Sequence, residues 1–205
     1  EDCLVRKVGT REEVEEMAPA GCARVDLGGR RVIPGFVDAH MHPVMLADFS
    51  RQISALPPKI HSIEELVQAI RQKREEQGPD GWIQGWGYDE GKFAEKRSIT
   101  RWDLDRGCSD APVSIIRTCG HIRCVNSRAL ELAGIDRNTP DPDGGEIERD
   151  ENGEPTGVLK ENARNIVTPF MPVPEREEKV ENLAERGRLL TSQGLGAVKD
   201  SGSME

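Results

Sequence analysis

The stretch Val32-Ile-Pro-Gly-Phe-Val-Asp-Ala-His-Met-His-Pro43 decides how this chain is read. A strand alternates its side chains, so Phe36, Asp38, His40 and His42 share one face, while Val37, Ala39 and Met41 share the other. Three ionisable groups near the end of an apolar strand are expensive to bury unless something binds them. Imidazoles two residues apart on a strand can reach one divalent ion, each keeping a second nitrogen for a neighbour. Asp38, on the same face, is the expected outer partner of the pair. An exposed edge strand with solvated histidines would also fit Pro34-Gly35 before the strand and Pro43 after it. The spacing favours the metal.

Upstream, Leu4–Val8 and Ala23–Leu27 alternate like short strands, the second turned by Gly28-Gly29. Thr10 followed by Glu13 forms a capping box for a short helix reaching about Ala18. Downstream, Ser62-Ile-Glu-Glu65 caps the clearest helix, with Ile63, Leu66, Val67 and Ile70 on one face and Gly78-Pro79 as its stop. Trp82–Gly87 is strand-like but interrupted by glycines, a sign of a bulge or a close approach. Ala111–Arg117 is a better strand. Asn126 or Ser127 caps a helix through Leu132. Thr139–Gly157 is loop-rich, with a hairpin from Ile147 to Pro155 turned at Asn152-Gly153. Pro174 opens a helix to about Ser192 with Val180, Leu183, Ala184, Gly187 and Leu190 inward, and Gly194–Asp200 ends as a short buried strand.

The 205 residues carry 28 basic and 37 acidic side chains, for a net charge of −9, and the mean hydropathy is −0.60. That describes a polar, foldable chain of one domain or slightly more. No apolar run approaches the roughly 18 residues of a membrane span. An acidic balance without a basic cluster argues against nucleic acid. Five scattered cysteines do not form a disulfide framework, and Cys119, His121 and Cys124 make an incomplete zinc set, better read as reduced thiols around a buried strand. Glu1-Asp2-Cys3 has no charged n-region or apolar h-region, so a cytoplasmic chain interrupted at both ends is expected.

Further segments carry a resemblance. Asp26-Leu-Gly-Gly-Arg30 with Val32–Pro43 resembles the signature of the amidohydrolase superfamily. Gly87-Tyr-Asp-Glu90, Leu104-Asp105, Pro112-Val113, Gly120-His121, Val125-Asn-Ser-Arg-Ala-Leu130, Gly134-Ile135, Asp141-Pro-Asp-Gly-Gly145 and Gly153-Glu-Pro-Thr-Gly157 resemble its amidohydrolase-family-3 group, whose members hydrolyse N-acyl, N-formyl or related non-peptide C–N bonds. The resemblance implies an α/β fold: a partial metal-dependent-hydrolase (β/α)8 barrel, strands one and two only, with a large α+β insert and a remnant of an N-terminal β-sandwich. Residues 1–30 would be the sandwich remnant, 31–49 barrel strand one and its loop, 50–165 the insert, and 166–205 helix one and strand two. What lies outside the insert falls far short of the roughly 250 residues of a complete barrel. The chain thus reads as an N-terminal fragment.

The resemblance further implies that in the intact protein His40 and His42 hold a divalent metal, zinc by preference, which lowers the pKa of water to about 7 for attack on a small-molecule amide, whereas weak or absent metal is expected in this fragment. The family's later ligands and its general base have no counterpart here, so no catalytic residue is assigned within the chain and the fragment is expected to be inactive. His121 and Asn126 become substrate-contact candidates, against a packed histidine and a helix cap. Lys160-Glu161 reads as a charge pair at a helix start rather than a metal-side group, and His61 as solvated surface. A different class also fits: a self-folding insert domain with a structural or interaction role and no catalysis. Unpaired barrel edges predict either a homo-oligomer or a remnant refolded onto the insert.

Overall fold

The structure is a computed structural model that describes residues 4–78 and 81–202. Cys3 and Pro79 lie outside the described residues. Two compact units divide the chain, Glu1–Gly35 and Phe36–Glu205. In the first, α1 (Arg11–Met17) is closed by the expected box: Thr10 Oγ1 accepts the Glu13 N–H, and Glu13 Oε2 accepts the Thr10 N–H at 2.7 Å. Leu4–Val8 and Ala23–Leu27 are not strands. Their apolar residues Leu4, Val5, Val8, Val25 and Leu27 are exposed, and without a ladder partner an alternating sequence has nothing to pair with.

The second unit runs β1 (Phe36–Met41), α2 (Pro43–Asp48), β2 (Ile53–Ser54), α3 (Ile63–Gln77), β3 (Ile83–Tyr88), α4 (Arg101–Gly107) and β4 (Val113–Arg117). It continues with β5 (Ile122–Val125), α5 (Ser127–Leu132), β6 (Gly145–Arg149), β7 (Pro155–Glu161), α6 (Arg176–Ser192) and β8 (Leu195–Asp200). Six strands form one sheet in the order β2-β3-β4-β5-β7-β6. Its first three strands are parallel, and the rest join antiparallel. The carboxyl ends of β4 and β7 and the amino end of β5 therefore meet at one end of the sheet. Ser62 caps α3 through the Glu65 N–H at 3.1 Å, and Ile63, Leu66, Val67 and Ile70 are buried beneath it with Ile83, Val113 and Ile115. The glycines of β3 make room as expected: a Cβ on Gly85 would lie 2.7 Å from Ile115 Cδ1 and 3.0 Å from the Ile53 carbonyl. The β3–β4 register slips between Trp86 and Tyr88, where Gly87 has φ +88°. A second core gathers Trp82, Val125, Leu130, Ile135, Ile147 and Leu159 under the hairpin of β6 and β7.

Separate from that sheet, β1 and β8 pair with each other in parallel. The expected refolding of this segment onto the insert is thus corrected. The pair is exposed rather than buried: β8 is half-covered at Leu195 and Asp200 and open between them. The α6 face also differs from expectation. Val180 is 60% and Leu183 40% exposed, and the buried residue of this helix is Asn182. Physically, α6 has the short α2 and the two-stranded sheet to lean on, too little surface to cover a full apolar stripe.

Candidate metal centre

Residues 36–42 form the predicted strand end. Pro43 cannot donate to a ladder but fits the first turn of a helix, so β1 stops and α2 starts at this point. His42 occupies the junction, with φ −124° and ψ 67°, and its carbonyl accepts the Leu46 N–H at 3.0 Å. The rings of His40 and His42 stand edge to face, 5.4 Å between centroids at 86°. His40 is exposed and His42 half-buried. Asp38 acts on the backbone: its Oδ1 accepts the His40 N–H at 3.0 Å, fixing the chain between the two ionisable groups.

Sequence reading missed Asp200. It ends β8 opposite Met41, and the Ser201 N–H donates to the Met41 carbonyl at 3.1 Å, locking the two strand ends together. Asp200 Oδ1 lies 3.8 Å from His42 Nδ1. Its Oδ2 is enclosed and has no hydrogen-bond partner among the described residues. A carboxylate oxygen enclosed in this way, beside two imidazoles, is a donor set that suits a divalent cation. Among the described residues no group of three or more His, Cys, Asp or Glu converges on one point as a full ligand set would. The arrangement supplies part of a coordination sphere, at the carboxyl ends of two parallel strands.

The other candidates lie on the six-stranded sheet. Asn126 is the helix cap. Its Oδ1 accepts the N–H groups of Val113 at 2.9 Å and Ala129 at 3.0 Å, and its Nδ2 donates to the carbonyls of Cys108 at 2.8 Å and Ala111 at 2.9 Å. All four capacities of the amide are used inside the protein, leaving none for a ligand. His121 is exposed, with Nδ1 3.0 Å from Glu161 Oε2. Glu161 was read as half of a charge pair with Lys160. Instead Lys160 bridges Glu146 at 2.9 Å and Glu148 at 3.1 Å across the hairpin, and Glu161 turns to His121. Its backbone sits at φ +48° and ψ −123°, a strained conformation for a residue with a side chain. Neither Asp200 nor Glu161 has a local signal, since each meets its histidine only through strand pairing.

The cysteines separate by face. Cys124 is buried in the first core, where burial pushes its thiol well up. Cys119 is exposed, and although partial burial raises its pKa, the Arg117 guanidinium and the His121 N–H outweigh that and hold it below the usual value. Cys22, Cys108, Cys119 and Cys124 are free. His61 is exposed, as expected.

Comparison with known proteins places these features in context. The amidohydrolase family matches residues 23–205. A Bacillus subtilis (strain 168) protein described as an amidohydrolase, YtcJ, is 36% identical over 173 residues, 84% of this chain and 32% of that protein. The N-substituted formamide deformylase of Arthrobacter pascens is 36% identical over 160 residues, 78% of this chain and 30% of the enzyme. Among solved structures, a metal-dependent hydrolase from Pyrococcus horikoshii OT3 superposes with a TM-score of 0.57 at 29% identity, covering 91% of this chain and 34% of that one. The chain spans about a third of the length of the curated relatives it matches. No helix among the described residues is long and apolar enough to cross a membrane.

Proposed function

The chain belongs to the amidohydrolase family, and from that premise we propose that it forms part of a metal-dependent hydrolase of non-peptide C–N bonds. The observation that carries this reading is the placing of His40 and His42 at the carboxyl end of β1 beside Asp200 at the carboxyl end of the parallel β8. In (β/α)8 barrels that end of the strands is where active sites are built. In this reading β1 and β8 are the first two barrel strands and the six-stranded sheet is the insert. His40 and His42 hold a divalent metal, zinc by preference, through one nitrogen each. Bound there, the metal supplies Lewis-acid activation of water and of an amide carbonyl.

The chain's own residues orient and shield. Asp38 fixes the backbone leading into His40, and Asp200 stands against His42 Nδ1, leaving the far nitrogen for the metal. His121, held by Glu161, is the contact offered to a small-molecule amide such as an N-formyl or N-acyl amine. The general base that the family resemblance implies has no counterpart in this chain, so this polypeptide alone is expected to bind without turning over. An assay with N-formyl and N-acyl amines, with added zinc or manganese, is expected to stay at the blank. Turnover lost in His40→Ala would overturn the inactivity while supporting the class.

A second reading is favoured by the insert's two hydrophobic cores, which are complete without β1 and β8. A self-folding insert of that kind would have a structural or interaction role. It predicts cooperative unfolding of the insert that is unaffected by His40→Ala or by divalent metal.

A further inference from the structure

Half-buried arginines of the insert are matched with acids. Arg74 pairs with Asp110 at 2.6 Å, Arg101 with Glu154 at 3.9 Å, Arg117 with Glu90 at 2.7 Å and Arg149 with Asp141 at 2.9 Å. Arg123 and Arg164 break the pattern. Both are half-buried, and among the described residues neither is in an ion pair, in a chain whose net charge is −9.

Arg123 lies in the middle of the sheet, on β5 between Ile116 of β4 and Leu159 of β7. Its Nε is enclosed without a hydrogen-bond partner, and its Nη1 rests on the Met171 sulfur, a weak acceptor. Arg164 sits on the 3-10 turn Asn162–Asn165 that follows β7, and its Nη1 donates to the Gly120 carbonyl. The two guanidinium groups feel one another: burial, and then the charge of Arg164, push Arg123 down to about 10. Even so, Arg123 stays charged at neutral pH. The acid nearest Arg164 along the chain, Glu161, is engaged by His121 at 3.0 Å.

A half-buried guanidinium with an orphaned Nε and no acid partner is costly unless an anion completes the set. Two planar forks on a sheet and its following turn suit the oxygens of a planar or tetrahedral oxyanion, which accept several charge-assisted hydrogen bonds. We propose that Arg123 and Arg164 form a binding site for a small oxyanion, a carboxylate or a phosphate group, at the end of the insert sheet beside the His121 turn. The site is independent of the metal reading and uses none of its residues.

The test is titration of the chain with inorganic phosphate and, separately, with acetate, at ionic strength held constant with chloride. Binding is followed by calorimetry and by melting temperature. Saturable binding is expected, weakened about tenfold or more in Arg164→Gln. Tighter binding of phosphate than acetate assigns a phosphate group, and the reverse order assigns a carboxylate. Arg123→Met, which keeps an apolar stem and removes the charge, should lose the anion-induced rise in melting temperature. Should that variant not fold, Arg164→Gln decides alone. No saturable binding to the wild-type chain, or binding unchanged in Arg164→Gln, would overturn the proposal.

Discussion

Asp103 shows how a single side chain contributes to acid sensitivity. It is 6% exposed, takes Arg97 in a two-pronged pair at 2.6 and 2.8 Å, and accepts the Thr100 N–H at 3.0 Å. Burial raises its pKa, but the Arg97 and Thr100 hydrogen bonds outweigh it and hold the carboxyl below the ordinary value. A group depressed in the fold contributes stability that is complete above the ordinary aspartate pKa near 4, and that is lost as pH falls through its folded value. Asp103→Asn is therefore expected to cost about 2 kcal/mol at neutral pH and to flatten the acid limb of a urea-midpoint profile. An unchanged profile would contradict this account of Asp103. At this scale the sequence is unevenly legible. His40 and His42 lie two residues apart, so their shared face follows from the strand period alone. Asp200 and Glu161 are joined to histidines by long-range pairing, and a local pattern cannot report a partner that sits on another strand.

Elements were readable where their signal is self-contained. The Thr10–Glu13 capping box, the Ser62 cap, the α3 face and the hairpin turned at Asn152-Gly153 each depend on residues within a few positions of one another. In that hairpin Asp150 Oδ1 accepts the N–H groups of Asn152 and Glu154 at 2.9 Å each, the local bonding that makes Asx residues turn formers. The faces of α6 and β8 were misread because an apolar stripe states what could be buried, not what is present to bury it. Asn126 ties three elements at once: it caps α5, accepts from the start of β4, and donates to the carbonyl just past α4. Asn126→Ala would leave two N–H groups and the Cys108 carbonyl unpaired in the interior and the Ala111 carbonyl with only the weak Cys108 thiol donor, at an expected cost of about 3 kcal/mol or more. Chemical denaturation measures it, and a loss below about 0.5 kcal/mol, ordinary for a surface change, would refute the tie.

At the scale of the molecule, the six-stranded sheet is closed around its cores while β1, β8 and α6 leave Phe36, Val37, Val180, Leu183 and Val198 open to solvent. A two-stranded parallel sheet with free edges and apolar faces invites pairing with its like. We therefore expect a homo-oligomer joined through this region. Sedimentation at micromolar concentration should show it, and Val180→Lys with Leu183→Lys should shift the chain toward monomer; a wild-type monomer would contradict the expectation. The central claim, that the ends of β1 and β8 form part of a metal site, is tested most directly by manganese(II) titration with the histidine side chains observed by NMR. The account predicts that the rings of His40 and His42 broaden first and together. It also predicts that the effect is lost in His40→Ala and, as for other groups that orient metal ligands, needs about 10- to 100-fold more metal in Asp200→Asn. Broadening centred on His121 and Glu161, with His40 and His42 still sharp, would contradict it.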